Sequence, residues 1–118
     1  MRISGSVPVY PTEDRGKVRE AVRSVFEDAS VSESGNRMVF ESGDASAFIK
    51  SLTDQKIRDT ARSIIVPSSD ESVSEFYLNK QAALCGKVNF TEGDSTLGDI
   101  HVRISEGVEE ILQAIGTD

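Results

Sequence analysis

The sequence has one cysteine, Cys85, and one histidine, His101, among its 118 residues. A single cysteine cannot form an internal disulfide, and these two residues supply too few ligands for a zinc-type cluster. The adjacent carboxylates Glu13 and Asp14 do not face each other on a first helical turn, and compensation of the helix dipole explains them without chemistry. No nucleophile, base and orienting group can be named together. We therefore expect no catalytic residues, no metal site, no cofactor and no enzymatic activity.

Long apolar runs are also absent, since no stretch approaches the ~20 residues that a membrane-spanning helix needs. The first residues, MRISGSVPVY, lack the continuous apolar region of a signal peptide. We expect a cytoplasmic protein without a membrane partner. The length of 118 residues suits one domain, so residues 1–118 are predicted to form a single α+β domain.

Acidic residues outnumber basic residues by 20 to 13, which gives a net charge of −7. Because attraction to phosphates supplies most non-specific affinity for nucleic acids, this balance argues against indiscriminate nucleic-acid binding. A local basic patch is still compatible with it. An acidic surface is also typical of proteins adapted to high salt, so the sign of the charge can reflect the host and not the ligand.

Apolar residues alternate with polar ones in several short segments, which predicts strands with one buried face. These strands cover residues 2–10, 37–42, 76–79, 87–90 and 99–105. Apolar stripes predict helices over residues 13–26, 45–52, 57–65 and 106–115, of which the middle two are either one bent helix or two helices. Thr12 and Ser105 are the predicted N-caps of the first and last helix. Residues 27–36, 67–74 and 91–98 are predicted links or turns, and Leu97 is a candidate core residue within the last of them.

Strands with one apolar face and helices with one apolar stripe pack as two layers. We predict an α+β fold, a two-layer sandwich in which a mostly antiparallel sheet carries helices on one face. The other face of the sheet would then show Ser4, Ser6, Val39, Tyr77, Asn79, Lys87, Asn89, His101 and Arg103. That face is either exposed to solvent, covered by a second copy of the protein, or used to bind a ligand.

The segment from residue 76 to residue 90, FYLNKQAALCGKVNF, contains two lysines and no acid. Its pattern predicts a strand, a compact helical turn and a second strand. Lys80 and Gln81 are expected at the exposed tip of this hairpin. Cys85, which lies in an apolar run, is predicted to be a small buried packing residue.

The outward side chains of this hairpin and of the last strand suit nucleic acid. Amide and ammonium groups can hydrogen-bond base edges and neutralise a phosphate, and an aromatic ring can stack on a base. The residues predicted to bind nucleic acid are Tyr77, Asn79, Lys80, Gln81, Lys87, His101 and Arg103. Two alternatives stay open. Asn79 and Gln81 can instead hold the turn through backbone hydrogen bonds, and His101 can be an ordinary surface or interface imidazole.

Three segments carry a resemblance to a known family: VPVYPTED followed by KVREAVRSVF, the LNKQAA block, and LGDIHVRI near the end. In this order, and over nearly the whole chain, they resemble uncharacterised protein family 0201, a small archaeal family described as RNA-binding proteins. Members of that family often have a proline where this chain has Asp99. The resemblance implies RNA as the partner, and a fold similar to that of the ribosomal protein that binds five-S ribosomal RNA.

Two functional hypotheses follow. The first is a non-enzymatic RNA-binding module, associated with the ribosome or with RNA processing, that uses the hairpin and the outward residues of neighbouring strands. The second is a homodimeric protein-interaction module without a nucleic-acid role. In that module a second copy of the chain covers the open sheet face around Val39 and Tyr77.

Overall fold

A computed structural model describes residues 1–65, 73–93 and 98–116 of the chain. In these ranges the strands are β1 (Arg2–Pro8), β2 (Ser30–Ser34), β3 (Arg37–Ser42), β4 (Ser74–Asn79), β5 (Phe90–Thr91) and β6 (Asp99–Glu106). The helices are α1 (Arg15–Val25), α2 (Ser46–Asp54), α3 (Arg58–Ile65), α4 (Lys80–Leu84) and α5 (Val108–Ile115). None of these helices is long and apolar enough to cross a membrane. Most of the predicted link at 67–74, and the predicted core residue Leu97, lie outside the described residues.

The strands of the described residues form one sheet with the order β2-β3-β1-β6-β4-β5. Every neighbouring pair is antiparallel. Buried and more exposed side chains alternate along β3 and β4, and the same alternation holds over most of β1 and β6. The inward side chains of the sheet and the apolar stripes of the helices form one hydrophobic core. The predicted α+β fold with an antiparallel sheet and a layer of helices is therefore confirmed.

The core contains four of the five phenylalanines of the chain, and the fifth, Phe90, packs against it. Their rings form a continuous series. Phe48 of α2 lies in the middle, with its ring centroid 5.6 Å from that of Phe26 and 5.8 Å from that of Phe76. Phe40 lies 5.9 Å from Phe26, and Phe90 lies 5.6 Å from Phe76. Because aromatic side chains bury large apolar areas, this series ties the helical layer to the sheet.

Close packing inside the sheet explains the glycine in the middle of β1. A Cβ atom at Gly5 would lie 2.5 Å from Cζ of Phe40 and 2.0 Å from the carbonyl oxygen of His101. Both distances are too short for non-bonded atoms. The missing side chain therefore lets the ring of Phe40 lie against β1.

The sheet has one more strand than predicted, at the edge next to β3. Residues 27–36 were expected to be a link, but residues 30–34 form the edge strand β2, which pairs with β3. An edge strand is easily missed because little of it enters the core, and Val31 is the one residue of β2 that is even partly covered. The inward apolar positions on which a sequence pattern depends are thus almost missing here.

The strand at the opposite edge is shorter than predicted. The strand expected at residues 87–90 is reduced to β5, which contains two residues. The side chain of Gln55 explains this difference, because its amide pairs with the N–H and the carbonyl of Val88, at 2.8 Å each. The amide thus takes the backbone hydrogen bonds that a neighbouring strand would otherwise form with Val88.

Both predicted helix caps are wrong. Asp14, and not Thr12, caps α1, since its carboxylate accepts hydrogen bonds from two N–H groups of the first turn at 2.8 and 3.3 Å. The last helix begins after Gly107, which has a φ of 95° and no side chain to cap it, and not after Ser105. The sequence-based prediction missed each cap by two positions, which is within the usual uncertainty of helix ends.

The middle helical region consists of two helices, which settles the alternative left open by the sequence. Lys56 separates them with a left-handed backbone, φ 58°. Its N–H donates to the carbonyl of Thr53 at 3.1 Å, and the N–H of Ile57 donates to the carbonyl of Leu52 at 3.0 Å. These two hydrogen bonds define a Schellman motif at the end of α2. Glycine usually occupies the left-handed position of this motif, because a Cβ atom costs energy there.

The side chain of Lys80 is buried in the interior, with 1% of it exposed. The prediction of an exposed Lys80 at the hairpin tip is therefore wrong. Its ammonium group donates to the carbonyl of Pro8 at 2.9 Å and to the two carboxylate oxygens of Glu13 at 2.8 and 3.0 Å. The same group lies 5.3 Å from the centroid of the Tyr10 ring. Three acceptor atoms match the three donors of an ammonium group, which makes its burial tolerable.

Glu13 lies in the tight turn that joins β1 to α1, and not in the first turn of the helix. Its N–H donates to the carbonyl of Tyr10 at 2.9 Å, and its carboxylate accepts from the N–H of Tyr10 at 3.0 Å. Burial raises the pKa of Glu13, but the hydrogen bonds from Lys80 and Tyr10 and the charge of Lys80 outweigh burial and hold the pKa below its usual value. Glu13 thus acts as the counter-ion of Lys80 and does not compensate the dipole of α1 as predicted.

We expect Lys56→Gly to raise the free energy of unfolding by about 1 kcal/mol, because glycine adopts the left-handed backbone without steric cost. Urea denaturation measures the change. Lys50→Gly is the matched control, since Lys50 is an exposed residue in the interior of α2, where glycine should lower the free energy of unfolding by about 1 kcal/mol. A loss of stability in both variants would contradict the interpretation of Lys56.

Lys80→Met should lower the free energy of unfolding by about 3 kcal/mol, because it leaves the carboxylate of Glu13 without its cationic partner. Thermal or urea denaturation shows the loss. Lys87→Met makes the same change at an exposed lysine, and it should alter stability by less than about 0.5 kcal/mol. If the two variants unfolded at the same denaturant concentration, the ion pair would not have the structural role assigned to it.

Candidate nucleic-acid interface

The pairing register arranges outward side chains of the strands in two rows, on the sheet face opposite the helices, here called the outer face. The aromatic row consists of Ser32, Val39, Ser6, His101, Tyr77 and Thr91, in the spatial order of the strands. The charged row consists of Ser30, Glu41, Ser4, Arg103 and Glu75. Neighbouring strands are about 4.8 Å apart, and residues two positions apart on one strand are separated by about 6.7 Å. The two rows therefore form one compact surface.

In the aromatic row, Tyr77 and His101 pair across adjacent strands, with ring centroids 5.1 Å apart and ring planes inclined by 44°. Nε2 of His101 lies 3.0 Å from a carboxylate oxygen of Glu75, and this hydrogen bond orients the imidazole. Gly93 packs against the tyrosine, because a Cβ atom there would lie 3.1 Å from the ring. Tyr77 is held on both sides and is still 38% exposed, so part of its ring remains available for stacking.

Beside this aromatic pair the outer face is concave. A depression of about 370 Å³ is lined by the side chains of Ser4, Ser6, Ser30, Ser32, Val39, Glu41, His101 and Arg103, with Gly5 and Phe40 at its floor. Arg103 is exposed and forms no ion pair within the described ranges. Arg37, at the start of β3, donates a hydrogen bond to the hydroxyl of Ser6 at 2.9 Å. The depression thus offers hydroxyls, one carboxylate and one guanidinium to a ligand.

The outer face does not share the strong negative charge of the chain. Its exposed outward positions on β3, β4 and β6 carry Arg37 and Arg103 against Glu41 and Glu75, and these charges cancel each other. The whole chain, in contrast, has a net charge of −7. A polyanion would therefore meet less repulsion on this face than over the acidic surface as a whole.

Tyr77, His101 and Arg103 are the predicted nucleic-acid-binding residues that the structure brings together on the outer face. Asn79 caps α4, since its side-chain oxygen accepts a hydrogen bond from the N–H of Ala82 at 2.8 Å. This capping role agrees with the alternative that Asn79 holds the turn. Gln81 is exposed on α4, apart from the two rows.

Lys87 and Asn89 lie in a different place from the other predicted residues. They line a groove against the connection between α2 and α3, together with Gln55, Ile57 and Thr60. The outer-face depression shares no residue with this groove. Lys87 was predicted to bind nucleic acid together with His101 and Arg103. In the structure it lies apart from the patch that those two residues form.

Reactive side chains do not form a second site in the described parts of the chain. Cys85 is exposed, so the prediction of a buried packing residue is wrong. The short helix α4 buries Lys80 and Ala83, and leaves Leu84 and the following cysteine on its outer side. No three histidine, cysteine or acidic side chains of the described residues are grouped as a metal ion would require.

Sequence reasoning missed Glu41, Glu75 and the serines of β2. It missed the serines because residues 30–34 were expected to be a link. A signal for them exists in the segment SVSES, in which serine recurs at every second position, as it does on one face of a strand. The two glutamates follow from the alternation of β3 and β4, since each lies two positions from Val39 or Tyr77.

Comparisons with known proteins match most of the chain to one family. A family model described as RNA binding matches residues 2–106. A UPF0201 protein of Methanothermobacter thermautotrophicus is 39% identical over 121 residues, and the match covers 99% of this chain and 92% of that protein. A UPF0201 protein of Methanocaldococcus jannaschii is 35% identical, and the match covers 98% of this chain and 70% of that protein.

Solved structures agree with these relatives. The crystal structure of a UPF0201 protein from Methanococcus jannaschii has a TM-score of 0.84 and 29% identity, and covers 100% of this chain and 96% of that one. Another UPF0201 crystal structure has a TM-score of 0.81 and 31% identity, with 89% and 82% covered. The expected likeness to the ribosomal protein that binds five-S ribosomal RNA stays a prediction. The family match and these relatives show that the chain belongs to the RNA-binding family of the archaeal UPF0201 proteins.

Proposed function

We propose that this protein binds RNA through the outer face of its sheet, without catalysis. The observation that carries the proposal is the pairing of an exposed aromatic ring, Tyr77, with an oriented imidazole, His101. The exposed guanidinium of Arg103, which forms no ion pair with the described residues, lies beside them. Bases stack on such rings, and an arginine contacts a phosphate or a base edge. The match of the chain to an RNA-binding family supports this assignment.

The remaining predicted residues have smaller parts in the proposal. Lys80 is excluded as a direct contact, because its ammonium group is buried and bound to Glu13. Asn79 supports the interface indirectly by capping α4 next to Tyr77. Gln81 and Lys87 are exposed away from the two rows, and they would contact RNA only where a bound strand leaves the outer face.

A second candidate function is a homodimer in which two outer faces cover each other. Val39 and Tyr77 favour it, because they are two of the large apolar side chains exposed on the surface, at 41% and 38%. Both belong to the aromatic row, with β1 and β6 between them. Dimerisation in this form and RNA binding would use the same surface, so the two functions would compete.

We expect Arg103→Ala to weaken the binding of single-stranded RNA about fivefold, because the contact of its guanidinium with the RNA is lost. Fluorescence anisotropy at two salt concentrations measures the loss. Arg23→Ala is the control, since it removes the same charge from an exposed position of α1. Equal affinities of the two variants, with unchanged melting temperatures, would refute a binding role for the outer face.

For the homodimer, light scattering of the purified protein over a range of concentrations should show twice the monomer mass, and Tyr77→Asp should convert the dimer to a monomer. A charge buried in such an interface without a partner is strongly unfavourable. Leu84→Asp, at a 43% exposed position of α4, should leave the dimer intact. A wild-type protein that is monomeric at every concentration would exclude this interface.

A further inference from the structure

We infer that the outer-face depression binds an unpaired guanine base of single-stranded RNA, with Glu41 as the residue that selects guanine. This inference rests on the proposed RNA-binding function and specifies its ligand. Three properties of the depression lead to it: the scarcity of cationic groups, the shape and lining of the cavity, and the presence of a carboxylate that forms no ion pair with the described residues.

The charges of the outer face favour single strands over duplexes. Affinity for a duplex depends mainly on contacts to its phosphates, which need several lysines or arginines along the groove. Here Arg37 and Arg103 are opposed by Glu41 and Glu75, in a chain that is acidic as a whole. With few phosphate contacts to offer, the face must gain affinity from bases and riboses. Those groups are accessible in single-stranded RNA.

The depression has the size and lining of a site for one base. Its volume of about 370 Å³ lies within the range of small-molecule pockets. Val39, 41% exposed, supplies an apolar wall for the face of the base. Hydroxyl groups line the remaining sides, and they can donate to or accept from base edges and the ribose 2′-hydroxyl. They belong to Ser4, Ser6, Ser30 and Ser32.

The carboxylate of Glu41 makes the depression selective. Glu41 is exposed and lines the depression, and it forms no ion pair within the described ranges. Glu75, the other carboxylate of the charged row, is already bound to His101. A carboxylate accepts two parallel hydrogen bonds from adjacent donors. Among the standard bases, guanine alone presents two adjacent donors, N1–H and N2–H, on its Watson–Crick edge.

Arg103 complements this selection from the other side of the depression. It lies in the charged row two strands from Glu41, with Ser4 between them, which corresponds to about 10 Å between the strands. This separation accommodates a planar purine between the two side chains. The guanidinium can then donate to O6 or N7 of the same base, the commonest arginine contact to guanine.

The test uses U-rich single-stranded oligonucleotides of equal length that contain one central guanine, inosine or adenine, and a duplex of the same length. Binding to the purified protein is measured by fluorescence anisotropy. We expect the guanine oligonucleotide to bind about tenfold more tightly than the adenine one, since a bidentate contact discriminates by a factor of about 5 to 150. Inosine, which lacks the N2 amino group, should lie between them, and the duplex should bind most weakly.

Glu41→Gln should abolish the preference for guanine, because an amide offers one acceptor and one donor in place of two acceptors. Glu20→Gln makes the same change at an exposed position of α1 and should keep the preference. Equal affinity for guanine and adenine, an unchanged preference in Glu41→Gln, or tighter binding of the duplex would overturn the guanine site. Each of these outcomes would leave RNA binding in place. Failure of the wild-type protein to bind any of the oligonucleotides would overturn both proposals.

Discussion

A buried ammonium group needs a counter-charge and three acceptors, and Lys80 obtains all of them from the end of β1 and the turn that follows. Its partner Glu13 is 67 positions away in the sequence, so the ion pair fixes the start of α4 beside the start of α1. Gly98 packs against the same end of β1, where a Cβ atom would lie 2.3 Å from the ring of Pro8. Glu13, Lys80 and Gly98, one residue from each of the three segments that carry the family resemblance, therefore lie around the same end of β1.

These contacts give two residues of the family motifs structural roles. Lys80, which was predicted to bind nucleic acid, instead ties α4 to the turn before α1, and Asn79 caps α4. The groups of the candidate site lie on the outer face instead. There the register of the strands places Tyr77 beside His101, and it places Arg103 between Ser4 and Glu75. In the proposed mode of RNA binding, such a face gains affinity mainly from stacking and base contacts, because it has few cations for phosphates.

Much of the fold was predictable because its signals are local. The alternation of β6 and the apolar stripe of α5 appear in the structure nearly as expected, since one buried face imposes its period on the sequence. Other elements failed for definite reasons. Residues 30–34 form an edge strand with little burial, and the strand at residues 87–90 is cut short because Gln55 takes the backbone hydrogen bonds of Val88. Within the candidate site, Tyr77, His101 and Arg103 were found from alternation alone.

The sequence by itself determined which strands and helices have an apolar side, and therefore the two-layer α+β architecture, because burial of that side is the main driving force of folding. Only the tertiary structure decided which polar residues remain available to a ligand. Lys80 and Lys87 are the same residue type in one short segment, yet one is buried beside Glu13 and the other is exposed. The difference depends on a partner far away in the chain, and the burial of a charge is settled by such long-range contacts and not by its sequence neighbours.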